Sequence, residues 1–209
     1  MTFLRPTHAL ALVALALAIA PGCALTSKST PAPIHYYTPE PIDAPRVTAA
    51  APTPSGQGHA LRLGRVVGAG HLRTKIVVRS GPNELATYDD DRWTESPEVY
   101  LRRSLERALF QEGRLARGYA AAAPVLEVEL VSFEEVRRGA SVSGRVEVAF
   151  VLRDEQRVLA EGRFATEQTS PSPAIRDVAA AIGAALEAST RKISGIVEAR
   201  VASSGTPAP

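Results

Sequence analysis

The chain has 209 residues, with 24 Lys and Arg against 22 Asp and Glu and a formal net charge of +2. A balance this near zero excludes nucleic-acid binding by bulk charge, which needs clustered basic surface. A single cysteine, Cys23, excludes a disulfide framework, so stability must come from a packed core.

The N-terminus carries one positive charge, Arg5, and no acid before an apolar run from Ala9 to Ala20. About a dozen apolar residues are too few to span a bilayer as a helix and suit the core of a signal peptide. Pro21 and Gly22 end the run and place a small residue directly before Cys23. The stretch LALVALALAIAPGC resembles the lipobox of bacterial lipoproteins, with Ala20 where that pattern usually has Leu. This implies signal cleavage between Gly22 and Cys23, with diacylglycerol and an N-acyl chain attached at Cys23. The alternative is an ordinary secretory signal with an incidental buried cysteine, whose A-x-A-like cleavage site would fall elsewhere.

From Ala24 to Gly58 the chain is polar, with prolines at 31, 33, 39, 41, 45, 52 and 54. Proline removes backbone donors and favours extended geometry, so residues 23–58 read as a disordered, semi-rigid tether. Ile34–Thr38, with its paired tyrosines, is the one stretch in it suited to docking on a folded domain.

The patterned region begins near His59. Leu61 and Leu63 share one face of a half-buried strand over Ala60–Val67, and Lys75–Arg79 is a short apolar strand. Ser80–Asn83 is turn chemistry, so Glu84–Tyr88 returns as a hairpin. Asp89–Asp91 lacks the Gly and Glu of a calcium loop and predicts a solvated turn, not a metal site. Ser96 and Pro97 open a helix with a Leu101, Leu105, Ala108, Leu109 stripe, and Gly113 is expected to close it. Its arginines predict a charged solvent face. Three antiparallel strands follow, over Val125–Val136, Gly144–Arg153 and Arg157–Thr169, then a second helix. That helix carries Ile175, Val178, Ile182, Leu186, Ile193 and Ile196, with Ser189 in the gap of the stripe. The order predicts an α/β fold (α+β-like in order): a mixed five- to six-stranded sheet packed with two main helices. The expected segments are a signal peptide (1–22), a tether (23–58), the folded domain (59–202) and an unstructured tail (203–209).

No catalytic constellation emerges. The four histidines lie in the signal stretch, the tether or the domain edge, and no nucleophile elbow, phosphate loop or metal-spaced pair occurs. The chain is therefore expected to be no enzyme and to hold no metal and no cofactor beyond its lipid.

The stretch LRTKIVVRSGPNELATYDDDRWTESP resembles the signature of the ABC-type transport auxiliary lipoproteins, the group containing the paraquat-inducible lipoprotein. The matching positions are Leu72, Arg79, Gly81, Asn83, Leu85, Arg92 and Trp93; the aspartate that family has after Leu72 is absent. Tyr36-Tyr37-Thr38-Pro39 is similar to the start of the family's mature domain. The resemblance implies a lipid-anchored periplasmic component of a mammalian-cell-entry (MCE) type ABC transporter for phospholipid or other hydrophobic cargo. Its partners would be an MCE-domain protein and the ABC permease and ATPase, with a homo-oligomer left open and no nucleic acid. It would catalyse nothing and act by docking or holding a conduit. Ala24, in place of the Asp that commonly retains lipoproteins in the inner membrane, points to the periplasmic face of the outer membrane. The rival from another class is a structural envelope lipoprotein that activates a cell-wall synthase or supports a secretion pore. A lipid-carrying shuttle would need a cavity. From the residues alone, Trp93 is expected to plug the core or staple the helix, and Arg79 to pair with a carboxylate among Asp89–Asp91.

Overall fold

The computed structural model describes residues 32–40 and 59–204; the signal stretch with Gly22 and Cys23, most of the tether and residues 205–209 lie outside them. Among the described residues there are eight strands and two helices. They are β1 (His35–Tyr37), β2 (Ala60–Gly68), β3 (Lys75–Gly81), β4 (Glu84–Trp93), α1 (Pro97–Phe110), β5 (Ala116–Arg117), β6 (Val125–Arg138), β7 (Ser141–Arg153), β8 (Val158–Thr169) and α2 (Ile175–Ser204). The six long strands are those expected from alternation, from the apolar run at Lys75–Arg79 and from the turn that follows it. The other two, β1 and β5, are three and two residues long, too short to show a period.

β6 is the axis of the sheet. β7 pairs antiparallel along its whole length, from Val125↔Arg153 to Arg138↔Ser141. The other edge of β6 is shared, both partners running parallel: β2 takes Val125–Leu130 and β3 takes Glu134–Val136. A bulge between Leu130 and Ser132 marks the break, and there the Ala69 N–H donates to the Leu130 carbonyl at 2.9 Å. β4 adds antiparallel to β3, β1 parallel to β4, β5 parallel to β2, and β8 antiparallel to β7. The tight β6–β7 turn is possible because Gly139 takes φ of 60°, the left-handed region a side chain disfavours.

Both helices cover one face. α1 begins at Ser96 and Pro97 as predicted, but the Ser96 hydroxyl makes no capping bond; the Val99 N–H donates to the Ser96 carbonyl instead. The predicted stripe is buried, joined by Tyr100 and Ser104. Gly113 does not close this helix. Gln111 is the C-cap, and Gly113 lies two residues on, where a Cβ would come within 2.6 Å of the Ala108 and Leu109 carbonyls. In α2, Val178, Ile182, Leu186, Ser189, Ile193 and Val197 face inward, so Val197 takes the buried place expected for Ile196. The helix also runs through Ser204, past the predicted edge at Ala202. The two helices meet through small polar residues: Ser104 Oγ lies 3.0 Å from Thr190 Oγ1, and Ser194 Oγ donates to the Ala108 carbonyl at 3.0 Å.

Asp89–Asp91 is not a turn. β4 continues through it to Trp93, because β1 pairs with Asp91–Trp93 and supplies the backbone partners that a turn would lack. This pairing also realises the docking expected of the tyrosines: Tyr37 packs against the core while Tyr36 stays exposed.

Candidate docking surface

The seven motif residues do not converge on one spot. Leu72 and Trp93 belong to the core, at 3% and 1% exposure. The Trp93 ring meets Phe133 and Tyr100 edge-on, with centroids 5.2 and 6.3 Å away, and its backbone N–H donates to the Thr74 carbonyl at 2.6 Å. It is a core plug. Arg92 sits beside it but points elsewhere, donating from Nη1 to the Tyr88 and Asp91 carbonyls at 3.1 Å. Gly81, Asn83 and Leu85 shape the β3–β4 hairpin at the opposite end of β4, with Leu85 43% exposed.

Arg79 is the motif residue with a polar role on the surface, and its partner differs from the predicted one. Asp89–Asp91 lie far along β4 from it; Arg79 faces Leu85 in the hairpin register. Across β6 instead, Arg79 Nε donates to Glu134 Oε1 at 2.7 Å and Nη2 to Glu134 Oε2 at 3.2 Å, a two-pronged pair. This bonding holds the Arg79 guanidinium above its ordinary pKa, against the effect of burial. Glu134 is fully buried although it lies on the face without helices.

The pair continues across the sheet. Arg145 on β7 stands opposite Glu134, Nε to Oε1 at 3.9 Å, and its Nη2 donates to Glu147 Oε2 at 2.5 Å. Arg163 on β8 donates to Glu147 Oε1 at 2.6 Å. Arg79, Glu134, Arg145, Glu147 and Arg163 thus alternate in charge over four strands. Burial alone would push the Glu147 carboxyl up, but Arg145 and Arg163 outweigh it and hold it below the ordinary carboxylate range. A parallel pair lies nearer the β6–β7 turn: Arg138 holds Glu167 and lowers its pKa against burial, with Ser143 adding a hydrogen bond at 2.5 Å.

Sequence reasoning missed Glu134, Glu135, Arg145, Glu147 and Arg163. One signal was available: the adjacent acids Glu134 and Glu135 break the alternation of apolar and polar positions along the strand. Glu135, also fully buried, points to the helix-covered face. There the Tyr88 hydroxyl donates to it at 2.6 Å and Arg137 Nε at 2.5 Å. Burial first, then the bond to Glu135, pushes the Tyr88 hydroxyl up to about 12.

A further contact secures the N-terminal segment. Arg103 on α1 bridges Glu40 and Glu95, each at 2.6 Å, so the chain just after β1 is clamped to the first helix. Among the described residues no cluster of His, Cys, Asp or Glu could hold a metal ion, and no helix is long and apolar enough to cross a membrane. The open face offers alternating, half-dry charges on a rigid sheet, chemistry suited to orienting a protein partner.

The fold is shared with solved structures. A Xanthomonas campestris protein of the family DUF330 superposes with TM-score 0.63 at 23% identity, covering 82% of this chain and 96% of that one. An uncharacterised protein superposes with TM-score 0.59 at 13% identity, over 79% and 99% of the two chains. No curated protein matches the chain in sequence. The model of one family does match, over residues 42–194, which include seven of the eight strands and α1 in full length, and α2 as far as Ser194. The chain belongs to the family of ABC-type transport auxiliary lipoprotein components.

Proposed function

We propose that the chain is a lipid-anchored, non-catalytic docking subunit of an MCE-type ABC system that moves lipids or other hydrophobic molecules. The observation that carries this reading is the family match over residues 42–194. In this reading residues 1–22 are cut away, and Cys23 carries diacylglycerol and an N-acyl chain. Several acyl chains give durable anchoring where one is marginal. Residues from Cys23 onward then tether the domain to the periplasmic face of the outer membrane, and its partners are the MCE-domain protein and the permease and ATPase. The ion-paired face supports the docking role, because paired charges on a stiff sheet select register and partner more than they add affinity.

The test is detergent extraction of the tagged full chain at native expression, with identification of what co-purifies. Recovery of an MCE-domain protein with an ABC permease is expected; recovery of wall synthases with no MCE protein would overturn the proposal. In the same preparation, Cys23→Ala should move the chain from membranes to the soluble periplasmic fraction. Unchanged fractionation would remove the anchor from the account.

A further inference from the structure

The outer edge of β8 has no partner among the described residues: β8 pairs only with β7. A bulge at Leu159 interrupts the β8 ladder near its start, so the regular stretch runs from Ala160 to Thr169. It contains no proline and, among the described residues, no strand lies over its outer edge. The bulge is confined to its start, and the charges it carries are of both signs. A long regular row of free N–H and C=O groups is a template for another strand.

The charges on this strand select the occupant. Side chains at 161, 163, 165 and 167 lie on the open face, because their β7 partners are Val151, Ala149, Glu147 and Arg145. Antiparallel self-pairing about a two-fold axis keeps each residue on its own face, so only a few registers exist. Centred on Arg163, it sets arginine against arginine. Centred on Phe164, it sets Glu161 against Glu167 twice. Centred on Gly162, it pairs Glu161 with Arg163 but meets the Leu159 bulge after five residues. Centred on Thr166, it uses seven residues and sets no two charges against each other. Centred on Ala165, it uses nine residues, Glu161 to Thr169, and sets Arg163 against Glu167 twice. Arg163 engages only its Nε, with Glu147, and its side chain is 62% exposed. Glu167 already accepts from Arg138 and Ser143 but remains 31% exposed, so Arg163 of the other copy would share its carboxylate.

The opposite edge fails the same test. The part of β4 that β1 leaves uncovered, Glu84–Asp90, is acidic, and self-pairing about Thr87 would bring Glu84 against Asp90 at both ends. The two edges therefore differ in what they accept.

We propose that two copies of this chain join edge to edge through β8, antiparallel about a two-fold at Ala165, with Arg163 of each copy facing Glu167 of the other. The joined sheets form one continuous open face, and the charge row of each copy runs into that of its neighbour. Opposed residues in such a pair stand about 4.5–5.5 Å apart at Cβ, so the axis residue is within cross-linking reach of its own copy. The proposal stands independently of the transport reading.

The test places single cysteines in the full-length chain, in native membranes, oxidised with copper phenanthroline in air and run without reductant. Ala165→Cys should give a reducible band of twice the chain mass. Glu161→Cys should not, because that residue lies opposite Thr169 and far from its own copy. Wild type runs alongside; a band there would show a free Cys23 thiol and count against the anchor, and Ala165→Cys is then compared in a Cys23→Ser chain. In a second arm, Arg163→Glu should cut the cross-linked fraction of Ala165→Cys roughly tenfold, since like charges now face each other twice. Adding Glu167→Arg should restore it. An unlinked Ala165→Cys chain, equal linking of Glu161→Cys, or no rescue by the double exchange would overturn the proposal.

Discussion

Neighbouring residues of β7 belong to two different regimes. Gly144 faces the helices, and a Cβ there would come within 2.7 Å of Ile182 Cα, so α2 lies directly on the strand backbone. Arg145, one residue on, faces the open side and joins the charge row through Glu134 and Glu147. One face is held by shape: Trp93, Tyr100 and Phe133 interlock with leucines and alanines, and the polar groups between the helices are small hydroxyls. The other is held by paired charge on half-wet side chains. Packing supplies most of the stability, since dispersion and burial accumulate over many contacts. Ion pairs of this kind add little net free energy but forbid alternatives. The contrast places stability on the helix side and, in the proposed docking role, recognition on the open side.

Substitutions on the two faces should separate these roles. Trp93→Ala removes the plug between β4, α1 and β6 and is expected to cost ~3–5 kcal/mol, read by urea or thermal unfolding. Trp93→Phe should cost far less, because the buried indole N–H has no hydrogen-bond partner to lose. Equal losses in the two variants would mean that ring size, not mere filling, sets the stability. Next in size, Gly144→Ala should cost about 1–3 kcal/mol through displacement of α2, and a melting temperature equal to wild type would refute the close approach.

On the open face, Glu134→Ala leaves Arg79 and Arg145 facing each other without their shared carboxylate. Breaking a fully buried pair costs about 3–5 kcal/mol. Both arginines here are 28% exposed at the side chain, so water relieves them and about 2 kcal/mol is expected. Glu134→Leu with Arg79→Leu should recover most of the loss, because an apolar pair needs no charge partner. If the double variant is worse than Glu134→Ala, the row contributes more to stability than this contrast allows.

The smallest effect is the pH dependence. Glu147 and Glu167 have folded pKa values below their ordinary value of 4.5. The sign follows: the unfolded chain binds protons at these groups more readily, so their contribution is present above that pH and is lost as pH falls through the folded values. Unfolding free energy measured against pH should therefore drop on the acid side, and Glu147→Gln should flatten the slope. An unchanged slope would show that the arginines hold Glu147 equally in the unfolded chain.

The alternation in Val146, Val148, Phe150 and Leu152, and the stripe Val178, Ile182, Leu186, Ile193, are local patterns that mark core faces before any neighbour is known. The Ser96-Pro97 start and the β3–β4 turn are local as well. Gly113 misled because a glycine near a helix end suggests a left-handed cap, while here it permits close approach to carbonyls already in place. Asp89–Asp91 misled because three acids suggest a solvated turn unless a strand arrives from outside, and β1 does arrive, from more than fifty residues earlier.

By itself the sequence determined the order and character of the six long strands and two helices, most of the faces that turn inward, the family, and the lipobox resemblance at Cys23. These follow from backbone chemistry and periods within a few residues. Only the tertiary structure decided that β2 and β3 share one edge of β6, that Arg79 meets Glu134 fifty-five positions away, and that β8 pairs on one side only among the described residues. The physical reason is that a period of two states which face a side chain takes, whereas its neighbours across the sheet depend on strand order and register, set by the packing of the whole chain.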